Sequence, residues 1–192
     1  MSLFTLGSWA SYFSKRNLVD PRKAIDANRA KIKPAIELPA ELKQDLPVRL
    51  HLIMEENWQG QWMLMKRARL AGQLLSKAPH DAVQEDVIEF FESLAALETL
   101  GLVNRELTWG TFSFHASRWW TASEGYIFEK RRLRAAEHLP MAFTQFELFA
   151  ERLKEREAQE QKIPPTTIEP GVDEINRFLR DELELIRRVA AL

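Results

Sequence analysis

Prolines divide this chain into segments whose apolar residues recur at the spacing of an α-helix. Pro21, Pro34, Pro79, Pro140 and Pro164 each stand at a boundary between such segments. Proline breaks a helix interior but is well placed in a first turn. Only 7 of the 192 residues are glycine, and the turn pairs Asn-Gly and Asp-Gly are absent, so β-hairpins have little support. We therefore predict an all-α fold, an irregular multi-helix bundle.

The apolar and proline patterns predict four regions along the chain. They are an amphipathic helix, a second helix and a Pro-rich connector in 1–47, a helical core domain in 48–158, a Pro-rich linker in 159–171, and an amphipathic C-terminal helix in 172–192. Within the core, residues 48–77 are apolar on almost every side in their second half, with a break expected near Asn57. Trp58 and Trp62 are expected to share one buried face, and Arg69 to point toward it. This pattern is typical of a central helix packed on two faces.

Charge and cysteine content exclude several classes of protein. Lys plus Arg is 27 and Asp plus Glu is 28, a formal charge of −1, so no overall field attracts nucleic acid. The chain has no cysteine, which excludes disulfides and thiol catalysis and favours a reducing, cytoplasmic compartment. Its four histidines are far apart and lack metal-site spacing. We expect no metal, no cofactor and no known catalytic motif.

Glu98 is the most informative polar residue, because its helical angle places it on the apolar face formed by Phe91 and Leu94. A buried, unpaired carboxylate costs several kcal/mol, so we expect an arginine opposite. Arg69 and Arg132 are the predicted partners. Two interpretations stay open: a core ion pair that fixes helix register, or a ligand or proton site in a pocket between helices.

A cluster of cations follows an aromatic helix that contains Trp119 and Trp120. The cations are Lys130, Arg131, Arg132 and Arg134. Basic and aromatic residues together suggest a phosphate-binding patch, but cations are also favoured at a helix C-terminus. A solvated helix end is therefore the alternative, and we do not expect nucleic acid as the main partner.

The two ends of the chain carry amphipathic helices that could bind outside the core. In the C-terminal helix, one side is formed by apolar residues at helical spacing, namely Ile175, Leu179, Leu183 and Ile186. This side predicts a contact with a protein partner or with a second copy of the chain. The opening helix, residues 3–13, predicts either packing on the bundle or a weak contact with the inner face of a membrane.

Part of the core resembles a bacterial family of helical domains of unknown function. The resemblance covers about residues 48–155 and rests on the segments 87–92, 100–103, Trp119-Trp120 and 127–132. Members of that family often carry membrane helices ahead of a cytosolic helical domain. The resemblance implies a helical fold and supplies no reaction.

These observations favour a noncatalytic helical module for protein interaction or regulation. An adaptor for a membrane surface or a nucleic acid, using the opening helix and residues 130–134, is the second hypothesis. An enzyme of unrecognised type built around Glu98 is the third.

Overall fold

The computed structural model describes residues 40–79, 83–135 and 142–189, and side chains within 45–79, 83–133 and 142–185. These residues belong to one compact unit. They form six α-helices and no strand, which confirms the all-α class: α1 Ala40–Gln59, α2 Gln61–Leu75, α3 Asp86–Thr99, α4 Arg105–Ala135, α5 Thr144–Gln161 and α6 Val172–Val189. None of these helices is long and apolar enough to cross a membrane. The predicted opening helix and the helix after Asp20 lie outside the described residues.

The first helix differs from the prediction in two places. It runs from Ala40 through Pro47, where a connector with at most one helical turn was expected. A proline interrupts a single backbone hydrogen bond, and the buried His51 and Trp58 hold the following turns in the core. The predicted break falls at Gly60 rather than near Asn57. It changes the helix direction, so Trp62 is 69% exposed although it was expected to share the buried face of Trp58.

An aromatic cluster fills the centre of the bundle. Phe91 of α3 stacks on Phe146 of α5 with ring centroids 5.0 Å apart, and Trp58 of α1 lies 5.0 Å from Phe91. Phe112 of α4 joins them, with its ring 6.3 Å from that of Trp58. The 31-residue α4 packs against α1, α3, α5 and α6, so the central position belongs to α4 and not to the helix expected within residues 48–77.

The C-terminal helix is part of this core. Its most extensive contact is with α2, and Ile175, Phe178 and Leu179 are all less than 9% exposed. Gly72 of α2 faces the side chain of Leu183, so the two helices approach closely there. The predicted linker joins α5 to α6 and contains a 3-10 turn, Pro165–Thr167. The helix that follows it, α6, packs in the same compact unit as the other helices.

Candidate functional site

The chain places two buried carboxylates in ion pairs with arginines, and the surroundings of the two differ. Glu182 of α6 accepts hydrogen bonds from Arg67 Nε at 2.8 Å and from Arg67 Nη2 at 2.7 Å. Both side chains are almost fully buried. The third guanidinium nitrogen donates to the carbonyl of Trp58 at 3.4 Å, and the group lies over the Trp58 ring. Every nitrogen of Arg67 therefore has a partner inside the protein.

His115 of α4 lies beside this pair, with Nδ1 3.6 Å from a Glu182 oxygen. Arg67 already occupies both oxygens of Glu182, and the buried Nδ1 has no hydrogen-bond partner among the described residues. Burial, followed by the nearby charges of Arg67 and Arg118, lowers the pKa of His115 to about 4. The imidazole is therefore neutral at physiological pH, and it lies partly buried beside the contact between α2 and α6.

Glu98 is buried, as predicted, but its partners are Arg105 and Arg152. Arg105 Nε donates to one oxygen at 2.6 Å, and Arg152 Nη2 donates to the other. The predicted partners were wrong because the pattern of one helix gives the direction of a side chain but not the helix that it faces. Arg69 is exposed and donates to Gln84 at 3.1 Å, and Arg132 is exposed and bonds Glu129 at 2.7 Å.

The local chain geometry explains how Glu98 meets Arg105. Gly101 ends α3 at a φ of +70°, a left-handed conformation that favours glycine, and its N–H bonds the carbonyl of Glu98. The Asn104 side chain then caps α4 by accepting the N–H of Leu107 at 3.0 Å. The chain thus reverses within a few residues, and Arg105 in the first turn of α4 reaches back to Glu98. Arg152 comes from the facing side of α5.

This group, called here the Glu98 cluster (Glu98, Arg105 and Arg152), lies at one side of an open cleft of about 500 Å³. The cleft lies between α4 and α5 beside the end of α3, and its lining consists of Glu98, Arg105, Glu106, Trp109, Phe149, Arg152, Leu153, Glu155, Arg156, Gln159 and Glu160. Volumes of this size are typical of ligand sites. Glu98 therefore does line an interhelical pocket, as one of its two predicted roles required.

The guanidinium groups of the Glu98 cluster keep donors that the protein does not use. The Arg105 side chain is 66% exposed and that of Arg152 is 35% exposed, whereas the Glu98 side chain is 3% exposed. Within the described part of the chain, the two Nη atoms of Arg105 form no hydrogen bond, and Arg152 Nε is buried without a partner. Glu98 thus holds two arginines in place while each retains N–H groups for a further acceptor.

Two aromatic residues, Trp109 and Phe149, form an aromatic wall in the same cleft. The guanidinium of Arg156 lies 4.5 Å from the centre of the Trp109 ring, a cation–π geometry. Arg156 also donates two hydrogen bonds to Glu106, at 3.0 and 2.6 Å, and one to Glu160 at 3.0 Å. The bonds from Arg156 lower the pKa of Glu106, and the same bonds raise the pKa of Arg156. The donors of Arg156 are therefore used by Glu106 and Glu160, which hold the guanidinium over the Trp109 ring.

The predicted basic patch is not a set of free cations. Lys130 pairs with Glu85 of the α3 N-terminus, and Arg131 donates to Glu147 of α5 at 2.6 Å. Arg132 pairs with Glu129 in its own helix. The prediction missed these pairs because two of the three acids lie on other helices. The side chain of Arg134 lies outside the described residues.

The predicted partner-binding face of the C-terminal helix also needs a correction. Ile175 and Leu179 are buried against the core of their own chain, and Leu183 is 39% exposed beside Gly72. The side chain of Ile186 lies outside the described residues. At Ile175 and Leu179 the apolar pattern predicted burial correctly, but α2 and α4 provide the covering surface. A contact of Leu183 and Ile186 with a protein partner or a second copy stays a prediction.

Sequence reasoning missed Arg67, Glu182, Arg105, Arg152 and Trp109. A signal existed for Glu182, which follows Ile175 and Leu179 at helical spacing on an apolar face, just as Glu98 follows Phe91 and Leu94. No comparable signal existed for the arginines of the cleft, since Arg152 lies 54 residues from Glu98. Among the described residues, no three histidines or carboxylates come together as a metal site requires.

Comparison with known proteins adds no relative. No protein-family model, no curated protein and no solved structure matches this chain. The resemblance to the bacterial helical family therefore stays a prediction.

Proposed function

We propose that this protein is a noncatalytic binding module that captures a partner protein in the cleft between α4 and α5. The observation that carries the proposal is the Glu98 cluster, in which a buried carboxylate orients two partly exposed arginines at the edge of an apolar wall. Tryptophan and arginine are the residues that most often dominate binding energy at protein interfaces. Trp109, Arg105 and Arg152 supply both types on facing helices.

The geometry does not favour the enzyme hypothesis. A general base or acid must come within hydrogen-bond reach of a substrate proton. The Glu98 side chain is only 3% exposed and each of its oxygens accepts a hydrogen bond from an arginine, so the carboxylate is a positioning group for those arginines.

The adaptor hypothesis has less support than the cleft. Its basic run pairs with carboxylates at Lys130, Arg131 and Arg132, which leaves little charge for phosphates. Its opening helix lies outside the described residues, so weak contact with a membrane surface stays a prediction, as does a cytoplasmic location.

Site-specific photocrosslinking in the cells that produce the protein tests the proposal. A benzophenone amino acid replaces Gln159, an exposed residue of the cleft, and in a matched control it replaces Arg180, an exposed residue of α6. We expect a discrete protein adduct from position 159 that is absent from position 180 and disappears when Arg105→Gln is added. The same adducts from both positions, or none from position 159, would contradict the proposal.

A further inference from the structure

We infer that the group recognised in this cleft is a single carboxylate of an Asp or Glu side chain that lies next to an aromatic residue in the partner. The inference rests on the proposed function, because it names the chemistry of the segment that the cleft would hold. It depends on three properties of the cleft: the unused arginine donors, the local charge and the aromatic wall.

The unused donors are of the type that binds an oxyanion. Guanidinium groups bind carboxylates through paired N–H donors in one plane. Glu98 takes one nitrogen from Arg105 and one from Arg152, which fixes both groups and leaves their other nitrogens for a second acceptor. Such preorganisation lowers the entropy that binding costs. The two Nη groups of Arg105 are the donors best placed to meet a ligand, because its side chain is 66% exposed and only its Nε bonds Glu98.

The net charge of the Glu98 cluster favours an anion that carries one negative charge. Arg105 and Arg152 together outweigh Glu98 by +1, so one carboxylate completes the neutralisation of the cluster. The lining as a whole has three arginines and four glutamates, a net charge of −1. A phosphate dianion or a nucleic acid would bring excess negative charge close to Glu106, Glu155 and Glu160. Like charges at this distance oppose binding, so a monoanion fits and a polyanion does not.

The aromatic wall of the cleft indicates which type of residue lies beside that carboxylate in the partner. Trp109 and Phe149 line the same cleft as the arginines; Phe149 is buried, whereas Trp109 is only partly buried and offers the accessible aromatic surface. An aromatic residue of the partner packs on such a surface and buries apolar area. Arg156, held over Trp109 by its own carboxylates, covers one side of the indole. The partner segment therefore carries an acidic residue with an aromatic residue beside it.

Titration of the full chain with short peptides tests this inference. The probe is acetyl-Gly-Phe-Glu-Phe-Gly-amide, and three matched peptides replace its Glu with Gln, replace Glu with phosphoserine, or carry Gln together with a free C-terminal carboxylate. Binding is followed by NMR through the indole N–H of Trp109, assigned with Trp109→Phe. We expect saturable shifts with the Glu peptide and at least tenfold weaker binding of the other three.

Protein variants connect the binding to the Glu98 cluster. Arg105→Gln and Arg152→Gln should each weaken binding of the Glu peptide at least tenfold, while the exposed control Arg180→Gln leaves it unchanged. Circular dichroism and the remaining NMR signals establish that each variant is folded, and the binding constant of the folded fraction is compared. Equal binding of the Glu and Gln peptides, tighter binding of the phosphoserine or free-carboxylate peptide, or equal binding by the arginine variants would each overturn the inference.

The crosslinking experiment tests the proposed function and the peptide titration tests this inference, and the outcome of one does not determine the outcome of the other. A specific crosslinked partner without binding of the Glu peptide would contradict the inference and leave the protein-binding function standing. Binding of the Glu peptide without a cleft-specific adduct would contradict the proposed function and support the carboxylate chemistry of the site.

Discussion

The two buried carboxylates of this protein, Glu182 and Glu98, bind the same kind of partner in different settings. Glu182 forms two hydrogen bonds with one arginine that is itself buried and uses all three nitrogens within the protein. Glu98 forms one hydrogen bond with each of two arginines that reach the surface. The first arrangement is complete within the chain. The second keeps donors free, and the open cleft beside it gives a ligand access to them.

This difference shows that burial of the acid alone does not distinguish structure from function. Both glutamates are less than 7% exposed, and both lie on apolar helix faces. The two glutamates differ in the exposure of their arginine partners. An arginine that is fully buried and paired has no hydrogen-bond donor left for a ligand. Substitutions at the two sites should therefore differ in their cost to stability.

Removal of the buried arginine should have the largest effect on stability. Arg67→Met leaves the Glu182 carboxylate buried without a cation, and we expect the free energy of unfolding to fall by about 3–5 kcal/mol. Urea unfolding at pH 7 measures the change. Because a well-packed apolar pair can replace a buried ion pair, Arg67→Met with Glu182→Leu should recover most of the loss. A loss below about 1 kcal/mol in the single variant would contradict the structural role.

Acid should weaken the same region through His115. Its pKa is about 4 in the folded protein, against 6.5 for a histidine in water, so the unfolded chain binds the proton more readily between these pH values. Stability from the neutral imidazole is therefore present above pH 6.5 and is lost as pH falls toward 4. We expect a loss of about 2 kcal/mol between pH 7 and pH 5, measured by urea unfolding.

The variant His115→Gln provides the control for that pH dependence. His51 also has a pKa lowered by burial, so the difference between the two proteins isolates the contribution of His115. The variant should lose less stability than the natural sequence over the same pH interval. An identical pH dependence in the two proteins would contradict this assignment.

Neutralisation of Glu98 should cost less than removal of Arg67. Glu98→Gln removes the charge from a buried group, but Arg105 and Arg152 reach water and can be solvated there. We expect the free energy of unfolding to fall by about 1–2 kcal/mol, measured by urea unfolding beside Arg67→Met. A loss equal to or larger than that of Arg67→Met would remove the distinction between the two sites.

Truncation of the outer arginine should have the smallest effect on stability. Arg105→Gln removes a side chain that is largely exposed, and exposed ion pairs contribute about 0.2–1 kcal/mol. We expect a change of this size in urea unfolding. A loss above about 2 kcal/mol would mean that Arg105 is needed for the fold and would contradict its assignment to ligand binding.

The sequence predicted the helical class, the end of α3 near Gly101, and the burial of Glu98, because these depend on spacing within one segment. It did not predict the arginine partners, because those depend on contacts between segments. Arg67 and Glu182 are separated by 115 residues, and no periodicity within a helix connects them. The apolar face of Ile175 and Leu179 was recognised, but the pattern could not tell whether the covering surface belongs to this chain.

The errors near Gly60 have a similar physical origin. Helical angles assume an unbroken helix, and the break at Gly60 changes the direction of everything after it. Trp62 therefore points to solvent, and Arg67, rather than Arg69, lies over Trp58. Trp109 and Arg156 form the cleft only because α4 and α5 lie side by side, which the sequence of either helix does not reveal.

Ligand-dependent unfolding tests the central claim most directly. The free energy of unfolding is measured for the natural sequence and for Arg105→Gln with Arg152→Gln, each with and without the Glu peptide at ten times its dissociation constant. We expect stabilisation of the natural sequence by about 1.4 kcal/mol and no stabilisation of the double variant. Equal stabilisation of both proteins, or none of either, would contradict the claim that the arginines of the Glu98 cluster bind a partner's carboxylate.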